Sequence, residues 1–101
     1  MVPSMTDPLF DFVFDLLEHE DHLFLEVALP GVLETEIDLT LETTRIIIRA
    51  QRPEPRVSAI HREIKRGVLT RDVPLPFAVE LLKSRYEDGV LWLQFKRVEA
   101  R

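Results

Sequence analysis

The densest group of reactive side chains is His19-Glu20-Asp21-His22, where two imidazoles bracket two carboxylates. Both groups are metal ligands, but a metal centre also needs further donors and a supporting shell of hydrogen bonds. The four residues separate two apolar runs, and an acidic β-turn accounts for them without a metal. A third histidine, His61, precedes Arg62-Glu63. Imidazole titrates near neutrality, so His61 is either a pH-sensitive contact at a subunit boundary or an ordinary polar strand residue. Ser4, Ser58 and Ser84 lack the glycine-flanked elbow that exposes a nucleophile, and there is no cysteine to supply a thiolate. Gly31, Gly67 and Gly89 lie too far apart to form one phosphate-cradling loop. The acid pair Glu87-Asp88 stands beside Gly89, where hairpin-turn chemistry explains it better than acid–base catalysis. No catalytic residue, metal site or cofactor is assigned, and the chain is expected not to be an enzyme.

These side chains must be positioned by a small scaffold. A length of 101 residues suits one domain with one core, and 46% hydrophobic with 31% charged residues is the composition of a folded globular protein. A net charge of −5 opposes binding to phosphate backbones, so nucleic acid is not an expected partner. No apolar run approaches the roughly 20 residues of a membrane span, and Met1-Val2-Pro3-Ser4 does not open a signal peptide. A cytoplasmic protein with no membrane partner is expected.

Period-two alternation recurs along the chain, which predicts an all-β protein. Leu23, Leu25, Val27 and Leu29 share one face of a strand while Phe24, Glu26 and Ala28 share the other, until Pro30-Gly31 stops it. Ile37, Leu39 and Leu41 alternate with polar residues, and Arg45 to Ala50 follows as the second arm of a hairpin. In Arg45-Ile46-Ile47-Ile48-Arg49 the flanking arginines fit either a guarded edge strand, with Ile47 at an interface, or a core strand. Pro53 and Pro55 predict an irregular connection from Gln51, with a short strand possible at Ala59 to Ile64. Val68 to Leu75 reads as a strand. Leu82, Ser84 and Tyr86 then share a face before the Asp88-Gly89 turn, and Leu91, Leu93 and Phe95 complete a hairpin. Trp92 is out of phase with these three and is expected on the outer, exposed face. The phenylalanines Phe10, Phe12 and Phe14 alternate in an apolar stretch that is either a first strand or an arm. Residues 1–13 are accordingly read as an arm or first strand, 14–97 as the domain and 98–101 as a short tail. Several short antiparallel strands joined by turns predict a sandwich of about seven to nine strands.

Taken in order, four pieces resemble the α-crystallin domain of small heat-shock proteins over roughly Phe14 to Lys96. They are Val27-Ala28-Leu29-Pro30-Gly31-Val32, Ile37-Asp38-Leu39, Gly67 to Pro76 with Arg71, and Ser84-Arg85-Tyr86-Glu87-Asp88-Gly89-Val90-Leu91. The last is similar to the family's A-x-x-x-x-G-V-L signature, with serine in the alanine position. The resemblance implies an immunoglobulin-like antiparallel sandwich that dimerises and holds unfolding proteins without ATP. It implies a groove for clients or apolar tails between the strand holding Phe24, Leu25, Glu26 and Val27 and the one holding Leu82, Ser84 and Tyr86. It further implies a homodimer interface drawn from Ile60, His61, Arg62 and Glu63 in the long loop together with Arg71, to which the edge reading adds Ile47. With about a dozen residues before the domain and a tail at Val98-Glu99-Ala100, large cages are not expected. Two other functions stay open: a modulator that co-assembles with longer small heat-shock proteins, and a co-chaperone or adaptor of the related p23-like sandwich.

Overall fold

The structure is a computed structural model that describes residues 11–98. Among the described residues seven strands run in chain order: β1 (Phe14–His19), β2 (His22–Ala28), β3 (Ile37–Glu42), β4 (Arg45–Arg52), β5 (Gly67–Pro74), β6 (Val79–Glu87) and β7 (Val90–Arg97). All pairings are antiparallel. They build a four-stranded sheet ordered β1-β2-β7-β6 and a three-stranded sheet ordered β3-β4-β5.

The alternation that defines the strands also builds the core. Leu23, Leu25 and Val27 of β2 and Leu91, Leu93 and Phe95 of β7 are buried from one sheet. Ile46, Ile48 and Ala50 of β4 with Leu69 and Val73 of β5 are buried from the other. Fully burying one such side chain is worth roughly 1.5–3 kcal/mol, and a one-residue slip in register would turn each set to solvent. The arrangement is the antiparallel β-sandwich expected from the sequence, at the lower end of the strand count.

Turn chemistry fixes the hairpins. Glu20 and Asp21 adopt φ of 48° and 66° between the paired residues His19 and His22, so the acidic histidine-flanked stretch is a two-residue turn. Asp88 and Gly89, at φ 54° and 77°, do the same between Glu87 and Val90. The second turn has a further duty. The Leu29 amide donates to the Gly89 carbonyl at 2.7 Å, and a Cβ on Gly89 would stand 3.1 Å from Pro30 Cα. Tyr86 Oη lies 2.8 Å from the Leu29 carbonyl and 2.6 Å from that of Val32. The Leu29-Pro30-Gly31 stretch and the Tyr86-to-Gly89 stretch are therefore one packed junction, although almost 60 residues of chain separate them.

Two open readings are decided here, and one expectation needs correction. The isoleucine-rich β4 is the central strand of its sheet, not an edge: it pairs with β3 on one side and β5 on the other. Ile46 and Ile48 are core residues, and Ile47 is half-buried on the outer face. Residues 59–64 form no strand within the single chain. Pro53 and Pro55 interrupt the approach, and the segment has no strand beside it, so its bonds are local and polar: Arg62 to Glu54 at 3.0 Å and His61 to Glu63 at 2.6 Å. Finally, β6 carries a bulge between Leu81 and Lys83. The extra residue makes Leu81, rather than Leu82, share the inner face with Ser84 and Tyr86. Phe12 is buried, and β1 starts only at Phe14; Phe10 lies outside the described residues.

Candidate functional site

Among the described residues each sheet ends in two edges without a ladder partner: β1 and β6 in the first, β3 and β5 in the second. On one side of the sandwich the edges are tied together. The Thr70 amide of β5 donates to Asp11 Oδ2 at 2.9 Å, Arg71 donates to the Phe12 carbonyl at 3.0 Å, and the Arg71 guanidinium stacks 4.2 Å over Phe14 of β1. Lys65 completes the tie with a 2.8 Å ion pair to Asp11. Burial pushes the Asp11 carboxyl up, but the bonds from Lys65 and the Thr70 amide outweigh this and hold it below its ordinary 3.8.

On the opposite side β3 and β6 stay apart and leave an open groove of about 160 Å³. Ile37 and Leu39 of β3 form one wall, Ser84 and Tyr86 of β6 the other, with Leu91 beneath and Glu34 and Arg85 at the rim. Ile37 and Leu39 are only half-buried, and most of β6 is exposed. The wall is set by the junction described above: Tyr86 is anchored by its hydroxyl, and burial pushes that phenol up, so it remains a neutral donor. Arg52, only 6% exposed, supports the same corner from behind, donating to the carbonyls of Pro30 at 2.8 Å and Lys65 at 2.7 Å. An unpaired strand edge lined by apolar side chains can accept an extended segment: the backbone supplies hydrogen bonds and the groove takes alternate side chains.

The groove residues inferred from the sequence do not all meet here. Strand β7 lies between β2 and β6, so these two strands do not flank a groove. Leu25 and Val27 are core residues at 1% and 0% exposure, and Glu26 is on the outer face opposite Trp92. Phe24 lines a separate outer-face hollow of about 430 Å³ with Trp92, Lys83, Ser84 and Arg85. Ser84 and Tyr86 do line the edge groove, whereas Leu82 is the exposed bulge residue. Trp92 is 39% exposed beneath the Arg85 guanidinium, 5.7 Å from its ring centroid. Of the residues inferred for a dimer contact, Ile60, His61, Arg62 and Glu63 are exposed in the 53–66 loop, Ile47 faces outward from β4, and Arg71 turns inward to Phe12 and Phe14. The sequence reading missed Ile37 and Leu39 as groove residues; their alternation was visible, but which edge faced β6 was not. Among the described residues, no group of three or more His, Asp or Glu side chains is placed to hold a metal ion.

The Hsp20/alpha crystallin sequence pattern matches residues 15–101. The chain belongs to the Hsp20/alpha crystallin family. Small heat shock protein C4 of Rickettsia felis is 29% identical over 91 residues, covering 84% of this chain and 56% of that protein. Spore coat protein P of Bacillus subtilis is 31% identical over 91 residues, covering 85% and 64%. The chain thus spans between half and two thirds of the length of these curated relatives. Among solved structures, HSP18.5 from E. histolytica superposes with a TM-score of 0.74 at 21% identity, covering 89% of this chain and 90% of that one. Heat shock protein 16.0 from Schizosaccharomyces pombe superposes with a TM-score of 0.73 at 18% identity, covering 87% of each. The fold of this Hsp20 chain is therefore the α-crystallin sandwich, and members of its family are typically chaperones rather than enzymes. Among the described residues, no helix is long and apolar enough to cross a membrane.

Proposed function

We propose that this Hsp20 chain is an ATP-independent holdase that binds extended segments of unfolding proteins and limits their aggregation, working as a homodimer. The observation that carries this reading is the open β3–β6 edge: Ile37 and Leu39 stand half-buried beside a strand whose outward backbone groups have no partner in the described structure. An unfolding chain offers what such an edge lacks, namely extended backbone and alternating apolar side chains. Binding there needs no nucleotide, because burial of apolar area and edge hydrogen bonds supply the free energy directly. The other edge strand of the same sheet, β1, lacks a ladder partner on its outer side and carries the exposed Leu17, which supports the dimer part of the reading.

The test is light scattering from two unrelated aggregating clients, with equimolar protein and no nucleotide. Suppression of both is expected. An Ile37→Ser/Leu39→Ser variant, shown to be folded by circular dichroism at the assay temperature, is expected to lose most of the suppression. Equal protection by this variant would move the binding surface away from the groove, and no protection by the unaltered chain would overturn the holdase reading.

A further inference from the structure

Strand β6 has two faces, and the groove uses only one of them. Ser84 and Tyr86 pair with the buried Leu93 and Leu91, which places them on the inner face. Lys83 and Arg85 pair with Gln94 and Trp92, on the outer face. There Arg85 is held over the Trp92 ring, and its ion pair with Glu87 is a long 3.7 Å contact between exposed side chains. Lys83 has no ion-pair partner among the described residues. The exposed edge of β6 thus presents two successive outward cations that the other described residues leave largely unneutralised.

A segment that adds to β6 must alternate its side chains between these faces. Its inward residues, beside Ser84 and Tyr86, meet Ile37 and Leu39. Its outward residues stand directly across from Lys83 and Arg85, where a carboxylate is favoured and a cation opposed. Resting on the reading of this edge as the client site, we propose that it selects extended segments in which apolar and acidic residues alternate. The net charge of −5 disfavours acidic partners at long range. At about 0.15 M salt that repulsion is screened beyond roughly 8 Å, while charges facing each other across adjacent strands lie inside this distance.

Fluorescence anisotropy at physiological salt tests the proposal with four labelled peptides on one frame: isoleucine alternating with glutamate, glutamine or lysine, and serine alternating with glutamate. The isoleucine–glutamate peptide is expected to bind tightest, about 3- to 10-fold better than its glutamine form, which is what two exposed cross-strand charge pairs supply. The lysine form is expected to be weaker still, and the serine form not to bind. In a Lys83→Glu/Arg85→Glu variant the order of the glutamate and lysine peptides is expected to invert. Equal binding of all three isoleucine peptides would overturn the charge selection and leave the edge reading standing. No binding by any of them would overturn both.

Discussion

A single hydroxyl carries much of the junction that shapes the groove. Tyr86 reaches across from β6 to the carbonyls of Leu29 and Val32, and of these the Leu29 carbonyl also receives the Val32 amide at 3.2 Å. Tyr86→Phe keeps the ring and removes the donor, so a loss of about 1–2 kcal/mol is expected, read as a lower urea midpoint with an unchanged slope. Gly89 is constrained twice, by φ of 77° and by the 3.1 Å approach of Pro30 to any added Cβ. Gly89→Ala is expected to cost about 1–3 kcal/mol, read as a lower thermal midpoint. The sequence displayed Asp88-Gly89 as a turn, and that turn is present. It could not display the second constraint, because Pro30 is distant in the chain and close only after folding.

At the scale of elements, each strand's place in its sheet decides its role. Strands β2, β4 and β7 have ladder partners on both sides, whereas β3 and β6 have one. Amide hydrogen exchange should therefore find the strongest protection in β2, β4 and β7, alternating weak protection along β3 and β6, and almost none from residue 53 to 64. Uniform protection along β6 would show that its edge is already covered. The location of most strands was legible from alternation and turns, because those signals are local. The order of strands was not. Arg45 to Arg49 displays the same pattern at an edge or at a centre, and only pairing to both β3 and β5 made it central. The β6 bulge was equally hidden, since Leu81 and Leu82 are both leucine and either phase fits the alternation.

For the whole molecule, the two sides of the sandwich are built differently, and acid should act on the closed one. The closed side depends on Asp11, whose carboxyl is held below 3.8 by Lys65 and the Thr70 amide despite partial burial. A group with a folded pKa below its unfolded one adds stability above the unfolded value and loses it as pH falls through the folded value. Urea midpoints should consequently fall between about pH 5 and pH 2, and Asp11→Asn should flatten part of that decline while lowering stability at neutral pH. A variant with the full decline would place the acid sensitivity elsewhere. Among the described residues the open side has no such tie, so peptide binding there should survive the Asp11→Asn change.

The sequence by itself determined the strands, the hairpin turns, the two-sheet class and family membership, because each follows from local period, turn chemistry and ordered motifs. Only the tertiary structure decided which residues line the open groove. Strand order placed β7 between β2 and β6, put Leu25 and Val27 in the core, and brought Ile37 and Leu39 to the groove instead. The physical reason is that alternation states which residues share a face. Which two faces or edges meet is set by long-range packing of the sheets, which no local pattern encodes.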